Sequence, residues 1–124
     1  MKFAKENTGR NVNVIRAYAP GRVDVSETSL TKSFIVARDQ LIGDWPPQRF
    51  EELTSGDLKT ALTLEPEVLI IGTGKQQRFL PGELMAELSR GGIGVEVMDT
   101  AAACRTYNVL LSEDRKVVAA ILMI

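Results

Sequence analysis

Four consecutive branched aliphatic residues, Val68-Leu69-Ile70-Ile71, run directly into Gly72. A run that is apolar at every position leaves no solvent face. It belongs in the middle of a sheet that is covered on both sides. Downstream, Pro81 suits the first turn of a helix in which Leu84, Met85 and Leu88 line one face. Arg90 favours the C-terminal end of that helix, and Gly91-Gly92 closes it. Gly94-Val95-Glu96-Val97-Met98 then reads as the next strand. Strand, helix and strand make a βαβ unit, whose right-handed crossover sets the two strands parallel. Gly72-Thr73-Gly74 and Asp99-Thr100 therefore share the carboxyl edge of the sheet, where open α/β folds hold their ligands.

The rest of the chain is organised around that unit. Before Trp45-Pro46-Pro47, short β-branched runs dominate: Val12 to Tyr18, Val23 to Val25, Leu30 to Ala37, and Gln40 to Ile42. Ala19-Pro20-Gly21 and Arg38-Asp39 punctuate them, which predicts antiparallel strands in a meander. Val12 and Val14 share one phase while Ile15 and Ala17 share the other, a slip that points to a bulge. After Pro47, Thr54-Ser55-Gly56-Asp57 has the spacing of a capping box, and Leu58, Ala61 and Leu62 follow on one helical face. Pro66 stops that helix. Thr100 is placed to cap a helix running to about Leu111, and Val117 to Ile124 predicts a last apolar strand.

At 124 residues the chain fits one domain, 1–124, with residues 1–10 expected as a flexible tail. Roughly two thirds of the unfolded surface is buried at this size, so a core forms without disulfides or metal. Charge is nearly balanced, 15 Lys plus Arg against 16 Asp plus Glu, which gives no electrostatic reason to expect a nucleic-acid or anionic-membrane partner. There is no His. That removes Ser-His-Asp and Cys-His arrangements and imidazole metal ligation. The single Cys permits neither an internal disulfide nor a Cys cluster, and suits a reducing compartment. No apolar run approaches the ~20 residues that span a bilayer, and the N-terminus lacks a signal-peptide core. A cytoplasmic protein without metal or cofactor is the expectation.

Two segments hold most of the groups capable of chemistry. Gly72-Thr73-Gly74-Lys75 follows a buried strand, as a phosphate cradle would. It lacks both the third glycine of G-x-G-x-x-G and the G-K-[ST] ending of a P-loop, so a tight turn is the plainer reading. Lys75, Arg78 and Arg105 would form an anion-binding patch if they converged with Thr73 and Thr100. The second segment is Asp99 to Asn108. At about 100° per residue, Ala101, Cys104, Asn108 and Leu111 share a face, with Tyr107 on its flank. Asn108 and Tyr107 on such a face pin neighbouring loop carbonyls, or else contact a ligand. Cys104 lies near a helix start beside Arg105, as a reactive thiol would. The plainer reading is a small buried thiol packed on the sheet.

Three motifs taken in order resemble one family: Val68-Leu69-Ile70-Ile71-Gly72-Thr73-Gly74, then Gly92 to Thr100, then Ala103-Cys104-Arg105-Thr106-Tyr107-Asn108-Val109-Leu110. It is the complex I assembly factor 3-like family of small bacterial, archaeal and eukaryotic proteins. The resemblance runs from about Ile15 to Ile121, and Tyr18, Gly21, Ser33 and Trp45 also fit its pattern. Asp114 departs from it, standing where a Glu-Gly-Arg turn would be typical. The resemblance implies a three-layer β/β/α domain with a mixed sheet. It establishes no enzymatic activity, and it implies a role with other assembly factors in building respiratory NADH:ubiquinone oxidoreductase. With no transit peptide, the chain is expected to be a stand-alone bacterial or archaeal relative.

Three functional readings follow. The first is a non-catalytic interaction or assembly protein with protein partners, respiratory-complex subunits or assembly factors among them. The second is a small-molecule or anion-binding protein, or an enzyme, using a cleft between Gly72-Thr73-Gly74 and Asp99-Thr100. The third is thiol chemistry at Cys104. Homodimerisation through an exposed strand edge is a further expectation.

Overall fold

The structure is a computed structural model that describes residues 12–124. The tail expected at residues 1–10 lies outside the described residues. Eight strands and three α-helices follow in the order β1 (Ile15–Ala19), β2 (Arg22–Val25), β3 (Thr28–Leu30), β4 (Phe34–Ala37), β5 (Gln40–Ile42), α1 (Ser55–Leu62), β6 (Val68–Gly72), α2 (Gly82–Ser89), β7 (Gly94–Met98), α3 (Thr100–Ser112) and β8 (Val117–Ile121). They make a mixed five-stranded sheet, ordered β5-β4-β8-β6-β7, and a three-stranded antiparallel sheet, β1-β2-β3.

β6 is buried along its whole length, as its unbroken apolar run requires. It lies between β8 and β7 and is parallel to both, which makes β6-α2-β7 the expected βαβ unit. β8 is equally buried and runs antiparallel to β4 on its other side, so the sheet is mixed. Alternate residues of these strands feed two cores. Val68, Ile70, Ala119 and Ile121 face α3 and the small sheet, meeting Cys104, Tyr107, Val23 and Val25. Leu69, Ile71, Val118 and Ala120 face the other side, against Leu58 and Ala61 of α1, Leu88 of α2, and Trp45.

The first half differs from the expected meander. The Leu30 to Ala37 run is two strands in different sheets: Leu30 pairs with Val23, while Phe34 pairs with Ile121. The intervening residues, ending in the buried Ser33, carry the chain from one layer to the next. Only β1-β2-β3 is a meander, and β4-β5 is a hairpin on the large sheet. The phase slip in β1 is real, because the register shifts between Ile15 and Ala17. The last strand stops at Ile121, short of Ile124.

Helix starts follow local chemistry. Thr54 and Asp57 form the reciprocal capping box of α1. α3 starts one residue earlier than expected: Asp99, and not Thr100, is its cap, accepting from Ala102 N at 2.9 Å. The Thr100 hydroxyl is engaged elsewhere. After α3, Asp114 takes a left-handed φ of 61° where glycine would be at ease. Arg38 Nη2 donates to Asp114 Oδ1 and also to the Leu111 carbonyl, both at 3.1 Å, holding that turn.

Candidate functional site

Thr100 is the hub of the carboxyl edge. Its hydroxyl is fully buried, donates to the Leu122 carbonyl at 2.6 Å and accepts from Gly74 N at 2.9 Å. Its backbone N–H donates to Gly74 O, Thr73 N donates to Met98 O, and Leu122 N donates to Gly72 O. Gly72 is needed for this closeness. A Cβ there would stand 3.0 Å from Thr100 Oγ1 and 3.1 Å from both Ala103 Cβ and Ile121 Cδ1. The two motif loops are thus bonded directly to each other across the ends of β6, β7 and β8.

The remaining motif side chains disperse from that hub. Thr73 is buried, and its hydroxyl donates to Gln76 O at 2.6 Å and accepts from Arg78 N, which folds the loop on itself. Arg78 pairs with Glu51 at 3.0 Å, and its guanidinium lies 4.7 Å from the centre of the Phe50 ring. Lys75 is exposed. Thr73, Gly74, Lys75 and Arg78 line an open depression of about 280 Å³ with Arg49 and Leu122. Asp99 is the helix cap already described. Arg105 points elsewhere, donating to the Tyr18 hydroxyl of β1 at 2.8 Å.

Tyr107 and Asn108 fasten α3 to the small sheet. The Tyr107 ring is fully buried, and its hydroxyl donates to Asn13 O at 2.8 Å. Burial pushes its phenol well above the ordinary range. Asn108 accepts from Ile15 N at 3.0 Å and donates to Ile15 O at 2.7 Å, acting as one more strand against the edge of β1. Cys104 is buried in the same core, and desolvation pushes its thiol up to about 12 despite the opposing field of Arg105.

Sequence reasoning missed Asn13 and assigned no role to Ser33. Asn13 bonds Ala37 O and Gln40 O, tying the β4–β5 turn to the start of β1. A lone amide between Val12 and Val14 was the available signal. Ser33 fits the family pattern, but its buried hydroxyl, which lacks a partner among the described residues, has no signal in sequence. A larger depression, about 450 Å³, lies at the opposite sheet edge among Arg38, Glu65, Asp114, Arg115 and Lys116. It contains none of the motif residues. Among the described residues, no group of three or more His, Cys, Asp or Glu side chains is placed to hold a metal ion. No described helix is long and apolar enough to cross a membrane.

Residues 15–122 match the family described as "Protein of unknown function (DUF498/DUF598)". The chain belongs to this family. Among related proteins, the zebrafish (Danio rerio) protein named NADH dehydrogenase [ubiquinone] 1 alpha subcomplex assembly factor 3 is 33% identical over 111 residues. That alignment covers 88% of this chain and 63% of the zebrafish protein, so the chain spans under two thirds of that relative's length. A crystal structure from Bordetella parapertussis superposes with a TM-score of 0.86 at 39% identity, covering 91% of this chain and 97% of that one. The solution structure of a Bordetella pertussis protein, titled an Mth938-like domain, gives 0.82 at 32% identity and covers 99% and 92% of the two chains. The family and fold that the three motifs imply are therefore those of this chain.

Proposed function

We propose that this protein is a non-catalytic interaction protein that assists the assembly of a larger complex, with respiratory NADH:ubiquinone oxidoreductase as the candidate. The observation that carries the reading is the use made of the motif side chains. Thr73, Asp99, Thr100, Tyr107 and Asn108 each bond backbone groups of the fold, and Arg105 bonds Tyr18. A catalytic constellation converges on one free point, whereas these groups diverge to separate internal partners. The naming of the zebrafish relative as an assembly factor supplies the complex. The proposal has the chain act from the cytoplasm on protein partners, without a cofactor.

Deletion of the gene in its native host tests this reading. The assembled oxidoreductase is expected to fall, with subassemblies accumulating on a native gel, and to recover on re-expression. Unchanged amounts and unchanged assembly intermediates would overturn the role.

A second reading rests on the depression beside Lys75 and Arg78, whose lining sets Arg49, Lys75 and Arg78 against the single side-chain carboxylate of Glu51. There the chain would bind a small anion. Titration with inorganic phosphate, followed by amide shifts of Gly74 and Lys75, tests it. Shifts confined to that loop support an anion site, and their absence at millimolar phosphate removes it.

A further inference from the structure

β7 ends the large sheet with one side unpaired by any described strand. Its backbone polarity follows from three bonds. Gly94 N donates to Glu67 O and Met98 O accepts from Thr73 N, so Gly94, Glu96 and Met98 turn their backbone groups inward toward β6. Val95 and Val97 therefore turn theirs outward. The Gln77 side chain confirms this, donating to Val97 O at 3.2 Å from outside the sheet. The N–H and C=O of Val95 and the N–H of Val97 are left facing away from the sheet. The other free end of this sheet, β5, has only three residues and leads into Trp45-Pro46-Pro47. Proline protects an edge, and β7 has none.

The surroundings of β7 are apolar. Val95 and Val97 are half-buried on the α2 side, as are Ile93, Leu84 and Met85. Phe79, two residues along the loop from Gln77, is 81% exposed.

We propose that the β7 edge binds a second copy of this chain, β7 against β7 in antiparallel register with the twofold axis through Val95. The register is chosen by elimination. An axis through Glu96 would set two carboxylates directly opposite, which is repulsive. An axis through Val97 would put the two carbonyls that the Gln77 side chains already occupy in the central pair, whereas an axis through Val95 leaves them in the flanking Ile93–Val97 pairs and keeps the central pair free. An axis through Val95 pairs the open N–H and C=O of Val95 with the same groups of its partner. It also sets Glu96 opposite Gly94, where there is no side chain to repel, and Ile93 opposite Val97. The result is an isologous interface and a continuous ten-stranded sheet. This inference is independent of the assembly role, because neither the complex nor its subunits enter it.

The experiment is sedimentation equilibrium of the full chain from micromolar to millimolar concentration, with two kinds of variant. The wild type is expected to dimerise. Val95→Pro removes an outward N–H and spares every bond to β6, so it is expected to be monomeric with an unchanged circular dichroism spectrum. Should that variant fail to fold, cross-linking decides. Opposed Val95 residues have Cα atoms about 5.5 Å apart, within disulfide range. Val95→Cys is then expected to form a covalent dimer with oxidised glutathione, while Glu96→Cys, out of register with its own copy, is not. Cys104 does not interfere because it is buried. A wild type that stays monomeric throughout would overturn the proposal. So would cross-linking of Glu96→Cys as efficient as that of Val95→Cys.

Discussion

A single missing methyl group explains much of the carboxyl edge. Gly72 is packed against Thr100, Ala103 and Ile121 so tightly that a Cβ would meet all three near 3 Å. Gly72→Ala is therefore expected to destabilise the fold by about 1–3 kcal/mol, as overpacking does, read from the urea midpoint. Asn108→Ala removes two bonds from α3 to Ile15, leaving the part-buried backbone N–H and C=O of Ile15 without that partner. A loss of about 1–3 kcal/mol is expected by the same measurement. Burial raises both Cys104, up to about 12 from 9.0, and Tyr107. Both groups are neutral in the fold, so the unfolded chain releases their protons first. The Cys104 contribution is intact below pH 9 and is lost as pH rises toward 12, while that of Tyr107 begins to fall only above pH 10. Cys104→Ala is expected to flatten the fall in urea stability across that window. A slope unchanged by the substitution would contradict the buried-thiol account. At this scale the sequence was informative about which residues matter and less so about what they touch. Tyr107 and Asn108 were legible as anchors because polar groups on an apolar face must find partners. The Ile15 partner was not legible, being 93 residues away along the chain.

Elements were legible where one local rule decided them. The capping box, the apolar run of β6 and the glycines after α2 each carry their own signal. Errors came where two rules competed. Thr100 and Asp99 are both good caps, and tertiary demand settled the choice by giving the Thr100 hydroxyl to Gly74 and Leu122. Asp99→Ala is accordingly expected to lose about 0.5–2 kcal/mol in a thermal melt, chiefly through α3. Leu30 to Ala37 has continuous strand character, yet it divides because strands in two layers cannot be joined without a bend. Nothing periodic in that run marks the division. The proposed anion patch shows the same limit. Residues close in sequence, Lys75 and Arg78, do meet at one depression, whereas Arg105 is carried by the turn of α3 onto β1.

For the whole molecule, the order of the strands assigns the functional possibilities. The carboxyl edge that the βαβ unit presents is knitted shut by backbone bonds among its own loops. β7 leaves backbone groups open on its outer side, and the proposed occupant of that edge is a second copy of this chain. Separately from that edge, the proposed role of the chain is to assist the assembly of respiratory NADH:ubiquinone oxidoreductase through protein partners. The most direct measurement is quantitative affinity purification of the tagged full chain from its native host, with the untagged strain as control. The account predicts enrichment of named subunits of that oxidoreductase or of its assembly factors, strongest in subassemblies. Reproducible recovery of metabolic enzymes alone, with no such subunit or factor above control, would contradict it.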